Sequence, residues 1–314
     1  MSFDLERMKR LAISGPVARV VVAETRGSVP REVGAAMLVT ARDVEGTIGG
    51  GALEYEATAR ARKALEAGAD RLDRMPLGPA LGQCCGGSVA LLTEAWDAER
   101  LAGIKGDVVA RPLPGGSEAA PLAVSRVLAD ARARGDRPEP GMLEGWMIEP
   151  VQRATRQIWV WGAGHVGRAI VGVLAPLPSL DIRWADCDVG RFPAAVPDRV
   201  ETLVAENPAD LVTLSPAHAE HLVLTFSHTL DLELCHRILC RPFRSLGLIG
   251  SATKWARFRS RLAALGHLEA QINRIACPIG DPALGKHPQA IALGVAADIV
   301  RKELGEKTMI GQRA

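Results

Sequence analysis

Ile158-Trp159-Val160-Trp161-Gly162-Ala163-Gly164-His165-Val166-Gly167-Arg168-Ala169-Ile170 is a short apolar run, then three glycines at G-x-G-x-x-G spacing, then a helix-forming segment. In that context each glycine has a physical task. Gly162 makes the tight turn, Gly164 lets a pyrophosphate approach the backbone, and Gly167 lets helix and strand pack closely. The helix that follows presents free N–H groups to an anion. A second apolar run ends at Asp186 and Asp188. Asp186 lies 22 residues beyond Gly164, the distance at which a carboxylate holds a ribose hydroxyl. His165 adds a titratable ring to the loop. The segment predicts a Rossmann-like domain whose loop takes a nucleotide or a pterin phosphate. The alternative is a scaffold kept for stability and interface after loss of its ligand.

Outward from this loop the pattern repeats. Strand-like runs at Gln157–Trp161, Asp181–Ala185, His221–Phe226 and Ser245–Ile249 alternate with helix-like runs at Val166–Leu174, Leu230–Leu239 and Lys254–Leu265, and a last helix spans Pro288–Leu304. Such alternation implies a parallel sheet with helices on both faces. The first hundred residues differ. Val17–Glu24, Ala35–Val39 and Val89–Thr93 read as strands and Leu53–Ala67 as a helix. The expected organisation is α/β throughout: an N-terminal mixed α/β domain over 1–105, a Pro/Gly-framed linker over 106–153 with a helical insert at Leu122–Arg134, and a C-terminal Rossmann-like, doubly wound parallel-sheet domain over 154–314.

Composition narrows the function classes. Aromatics make up 4% of the chain, with one tyrosine, too few to stack single-stranded nucleic acid. Net charge is +2 and no basic stripe gathers, so nucleic acid is not expected as a partner. No run approaches the ~18 apolar residues of a membrane span, and the acidic, Gly/Pro-broken N-terminus lacks a secretory pattern. A cytoplasmic protein with reduced thiols is expected. The six cysteines are too sparse and irregular for a disulfide scaffold.

Gln83-Cys84-Cys85-Gly86-Gly87 is the most distinctive loop of the N-terminal part. Adjacent cysteines lack the spacing of a zinc site. Among flanking glycines they suit one soft-metal bond or sulfur transfer, unless both thiols are simply buried. Cys187 lies between two aspartates, Cys235 and Cys240 fall on a helix where core packing is expected, and Cys277 precedes Pro278.

At these loops the sequence resembles the xanthine dehydrogenase accessory protein family, also called the XdhC/CoxI family. The matching segments are Gly27–Arg31 with Gly34–Leu38, Gly46–Glu54, Leu77–Gly87, Gly162–Gly167, Gly247–Ser251 with Lys254, and Lys286–Pro288 with Ile291 and Ala292. The resemblance implies a chaperone rather than a dehydrogenase. Such a protein binds molybdenum cofactor, assists its sulfuration and inserts it into apo-xanthine dehydrogenase. The implied partners are the molybdenum subunit of that enzyme, an L-cysteine desulfurase and the cofactor-processing enzymes, and a homodimer is expected. The cofactor's phosphate would be held by Arg31 or by the Gly49–Gly51 nest, with Glu54 and Gln83 completing the set, and molybdenum by Cys84 or Cys85. Gly162, Gly164, His165, Gly167 and Asp186 would bind the cofactor or an unidentified nucleotide. An ion pair between Arg31 and Glu32 or Glu54 is the plain alternative for that arginine. Two rival functions are an NAD(P)-dependent oxidoreductase, with His228 and Asp231 as its best available pair, and a purely protein-binding adaptor.

Overall fold

The computed structural model describes residues 3–78 and 86–311, the last ten as backbone. The chain divides into two compact units, 1–153 and 154–314.

The first unit begins with helix α1 (Leu5–Ala12), capped by Asp4, and strand β1 (Val17–Arg26). Next come β2 (Ala36–Val39), β3 (Val44–Gly46), helix α2 (Gly51–Ala67), β4 (Arg71–Pro76) and β5 (Ser88–Trp96). These strands form one antiparallel sheet in the order β3-β2-β1-β5-β4. On β1, Ala18, Val20 and Val22 face a cluster containing Leu53, Ala57 and Ala61 of α2, while Val21 and Ala23 face the other way. Both faces are covered, which is why β1 reads as an unbroken apolar run rather than an alternation.

The covering layer on the second face comes from the stretch that reads as a linker. After α3 (Ala98–Ala102) the chain forms β6 (Val108–Pro112), α4 (Leu122–Arg134), β7 (Gly141–Leu143) and β8 (Trp146–Pro150). The helical insert is present as α4. The remainder, however, is a three-stranded antiparallel sheet, β6-β8-β7, and belongs to the first compact unit. The physical reason is a layer of buried charge. Arg19 on β1 forks onto Glu149 of β8 at 2.8 and 2.6 Å. Arg111 of β6 bonds both oxygens of Glu94 on β5 at 2.6 Å and reaches Glu149 at 2.5 Å. Burial opposes ionisation of Glu149, yet Arg19 and Arg111 hold its carboxyl below the usual range. Phe3 lies under the Arg19 guanidinium, 4.8 Å from ring centre to charge. Prolines, glycines and charges suggest a solvated connection; here the charges satisfy one another between two sheets.

The second unit starts with β9 (Arg156–Trp161), α5 (His165–Leu174) and β10 (Leu180–Asp186). It continues through β11 (Val200–Val204), β12 (Glu220–Val223), α6 (His228–Leu239), β13 (Ser245–Leu248), α7 (Ala252–Ala264), α8 (Glu269–Ile272), β14 (Ile275–Ala276) and α9 (Pro288–Gly311). All six strands are parallel, in the order β11-β10-β9-β12-β13-β14. Counted within this unit, the order is 3-2-1-4-5-6, that of dinucleotide-binding folds, with the switch point between β9 and β12. Side chains alternate between two cores. Ile158 and Val160 pack with Ile170, Leu174, Val295 and Ile299. Trp159 and Trp161 pack with Leu234, Cys235, Phe258 and Leu262. Arg156 pairs with Glu220 at 2.6 Å and donates to the Ile299 carbonyl at 2.8 Å, tying α9 to the sheet. His221 is buried; desolvation lowers its pKa to about 4, so it stays neutral and accepts from the Trp161 indole. Among the described residues, no helix is long and apolar enough to cross a membrane.

Candidate functional site

The glycine loop lies where β9 ends and α5 begins. Gly162 adopts φ 117°, and a Cβ there would stand 2.6 Å from the carbonyl oxygen of Leu224, just past the end of β12. A Cβ on Gly167 would collide with the Gly162 carbonyl. Both positions are therefore fixed by the protein's own backbone. Gly164, the N-cap of α5, is different: its added Cβ would meet nothing within 4 Å. Internal packing leaves that position open toward the surface, beside the amino end of a ten-residue helix.

Next along α5, His165, Arg168 and Ala169, with His287, Pro288 and Gln289 from the start of α9, line a shallow depression of ≈ 470 Å³. The first residues of both helices border it, and a helix amino end favours an anion. Arg168 also donates to the Ala163 carbonyl at 3.1 Å and so braces the loop.

Asp186 is brought next to the loop, but in a role other than the ribose contact its spacing suggests. It is 2% exposed. One oxygen accepts from Ala163 N–H at 2.6 Å; the other accepts from Cys187 N–H at 2.7 Å and pairs with Arg191 at 2.8 Å. Burial works against its charge, yet these donors keep the carboxyl below its ordinary range. Asp186 locks the glycine loop to β10. The Cys187 thiol is pushed up by burial and by its bond with Asp186, as the flanking acids suggest.

The carboxyl ends of β12, β13 and β14 hold a second polar cluster. Asp231, fully buried, accepts from Thr225 N–H at 2.9 Å and Thr225 Oγ1 at 2.7 Å, and pairs with Lys254 Nζ at 2.6 Å. Lys254 also donates to the Ile249 carbonyl at 3.0 Å. Cys277 Sγ lies 3.9 Å from the Gly250 oxygen; burial raises its pKa against the opposing pull of Lys254. His228 is exposed at the start of α6, so it does not form an acid–base pair with Asp231. The pairing of Asp231 with Lys254, 23 residues apart, has no local signal in the sequence. Cys235 is core, as its helical position implies, whereas Cys240 is exposed.

In the first unit the candidate phosphate sites meet a simpler fate. Gly49, Gly50 and Gly51 all have positive φ and lead into α2, as a nest should. The nest is filled from within. Glu54 Oε1 accepts from Ile48 N–H at 2.9 Å, Gly49 N–H at 3.2 Å, Gly50 N–H at 2.8 Å and Thr47 Oγ1 at 2.5 Å. Burial opposes its charge, but these donors hold Glu54 below its ordinary range. Glu54 Oε1 is thus the occupant of this nest. Arg31 bonds Glu32 through two nitrogens at 3.3 Å and reaches the Thr47 carbonyl at 3.5 Å.

Gln83, Cys84 and Cys85 lie outside the described residues. The described chain on either side is tied down: Leu77 N–H donates to the Gly87 carbonyl at 2.8 Å. A Cβ on Gly87 would collide with the Ser28 carbonyl. The Gly27–Arg31 turn, the Gly49 nest and the start of β5 therefore adjoin at one end of the sheet, since a Cβ on Gly49 would overlap the Pro30 ring.

An antiparallel α/β unit followed by a dinucleotide-type Rossmann unit defines the class of protein. Residues 158–299 match the XdhC Rossmann domain, and residues 11–75 match the XdhC and CoxI family. Together these matches cover about two thirds of the chain, which belongs to the XdhC and CoxI family. It is 27% identical over 292 residues to the uncharacterized protein YqeB of Escherichia coli (strain K12), covering 91% of this chain and 43% of that protein. The chain thus spans less than half the length of that relative. Its fold is similar to the crystal structure of a xanthine dehydrogenase from Bacillus halodurans, with a TM-score of 0.67 at 20% identity and 95% of each chain covered.

Proposed function

We propose that this protein serves xanthine dehydrogenase maturation as a carrier that binds molybdenum cofactor, assists its sulfuration and inserts it into the apo-enzyme. The observation that carries the reading is the opening at Gly164. A loop whose outer glycine is not required by packing, at a helix amino end, suits the phosphate of a pterin cofactor. The thiols of Cys84 and Cys85 are the soft ligands in this reading, for molybdenum or for its exchangeable sulfur. Family membership supports the assignment to xanthine dehydrogenase. In this reading the partners are the molybdenum subunit of that enzyme, the cofactor-processing enzymes and an L-cysteine desulfurase that donates sulfur, and the carrier acts as a cytoplasmic homodimer.

Asp186 favours this over hydride transfer with NAD(P). A carboxylate only 2% exposed and already engaged by two backbone N–H groups and an arginine is poorly placed to meet a ribose hydroxyl. Titration with NADH and NADPH is expected to give no binding in the low micromolar range.

The deciding experiment incubates purified protein with molybdenum cofactor, removes free ligand, and quantifies bound molybdenum and pterin. Wild type is expected to retain near-stoichiometric amounts, and the Cys84→Ala/Cys85→Ala variant to lose them. Absence of retention by wild type overturns the carrier reading. Unchanged retention and transfer by the double variant overturns the assignment of the cysteines.

A further inference from the structure

The second unit brings together three metal-ligating side chains that the glycine loop does not use. His236 lies in the last turn of α6 and Cys240 caps that helix four residues later, so both project from one face. His267 comes from the segment between α7 and α8. One donor atom from each of the three lies within 4.8 Å of the others. His236 Nδ1 and His267 Nε2 face each other at 2.7 Å, with the rings edge to face at 4.9 Å between centres.

The scaffold beneath them is rigid. Cys235, Ile238 and Leu239 of α6 pack against Phe258 and Leu262 of α7 and Ile272 of α8 in one core cluster. His267 is fixed on both sides. Its N–H donates to the Leu262 carbonyl at 3.2 Å after Gly266 turns at φ 91°, and Leu268 N–H donates to Gln271 Oε1 at 2.9 Å. The nearest strong cation on α6, Arg237, is taken up by Asp210 and Glu233 at 2.6 Å each.

We propose that His236, Cys240 and His267 form a site for a zinc-class divalent ion that staples α6 to the α7–α8 connection. Two imidazole nitrogens and a thiolate are the donor set that Zn(II) prefers among ordinary side chains. Tetrahedral coordination with Zn–N of about 2.0–2.1 Å and Zn–S of about 2.3 Å places the nitrogens roughly 3.3 Å apart and sulfur roughly 3.6 Å from each. The rings therefore open by about 0.6 Å and the Cys240 side chain swings inward. Cys240 is exposed and both histidines are partly exposed, so neither movement disturbs the core. Binding releases the thiol proton, leaves both imidazoles neutral, and leaves a fourth position for water or an external thiolate. α6 and α7 run back from the carboxyl ends of the strands they follow, so the site lies at the opposite edge of the sheet from the glycine loop. It is independent of the carrier reading.

The test titrates the full chain, after chelator treatment, with Co(II) and with Zn(II). To remove competing thiols it uses both wild type and a Cys84→Ser/Cys85→Ser variant. Each is expected to bind one ion per chain, with thiolate-to-cobalt charge-transfer absorption and an unfolding midpoint that rises with Zn(II). His236→Gln, Cys240→Ser and His267→Gln should each weaken binding on the order of 100-fold, and Cys240→Ser should abolish the charge-transfer band. These are surface or near-surface changes, and circular dichroism of the metal-free variants checks that each is folded. Failure of wild type to bind either ion overturns the proposal. So does a site abolished by Cys84→Ser/Cys85→Ser but untouched by the three substitutions.

Discussion

Each unit carries a glycine-rich turn that opens directly into a helix, and the two turns have opposite fates. At Gly49–Gly51 the converging N–H groups close on Glu54, four residues into the chain's own next helix. At Gly162–Gly167 the chain supplies no such acid from the first turn of α5. The nearest carboxylate, Asp186, binds Ala163 N–H from the side and leaves Gly164 open. Glycine content alone thus does not define an anion site. What matters is whether a carboxylate of the same chain reaches the N–H groups first.

The largest effect that would sharpen this contrast is on stability. Gly167→Ala places a methyl group against the Gly162 carbonyl, and relief requires separating α5 from β9. It should cost about 3 kcal/mol in urea unfolding of the second unit. A near-neutral result would break the assignment of Gly162 and Gly167 to backbone packing.

Glu54→Gln should have a middling effect. Loss of the charge that accepts four hydrogen bonds should destabilise the first unit by about 1–2 kcal/mol near neutral pH. The sign with pH follows from the lowered pKa: the folded carboxyl sits below its ordinary value of 4.5, so its contribution is present above that value. It is lost as pH falls through the folded pKa. The stability gap between wild type and Glu54→Gln should therefore shrink below pH 4.5. A gap that persists undiminished in acid would show that the nest does not depend on the charge.

Gly164→Ala should produce the smallest stability change, within about 0.5 kcal/mol, because its Cβ meets nothing. Its effect should appear in binding instead, as a loss of roughly tenfold or more in affinity for the phosphate-bearing ligand. Unaltered cofactor retention in this variant would move the ligand away from the loop.

The second unit was legible because its residues obey one rule at a time. Apolar strands alternate with amphipathic helices, and the glycine spacing marks the first turn, so β9, α5, β10, β12, α6, β13 and α7 fall within a few residues of their expected bounds. The edge strand β11 was not legible, since only Val200 and Leu203 are partly covered and the apolar positions of Val-Glu-Thr-Leu-Val do not alternate. The 106–153 stretch was missed for a different reason. Arg111 and Glu149 interrupt β6 and β8 with charges that composition assigns to the surface, and only their partners Arg19 and Glu94, far away in sequence, reveal a buried layer. At the candidate sites, the glycines were visible but their occupants were not. A carboxylate four residues after a Gly-Gly turn is the signal that would have assigned Glu54.

The charged layer between β1 and β5 on one side and β6 and β8 on the other also dictates how the first unit comes apart. Peeling the three-stranded sheet away would break both bidentate forks that cross between the sheets, Arg19–Glu149 and Arg111–Glu94, keeping only Arg111–Glu149 on the departing half and Arg19 beside Glu94 on the strands that stay. Neither sheet is therefore a comfortable resting place without the other, and the partly opened species lies high in free energy. The two layers behave as one melting unit, opening together or not at all.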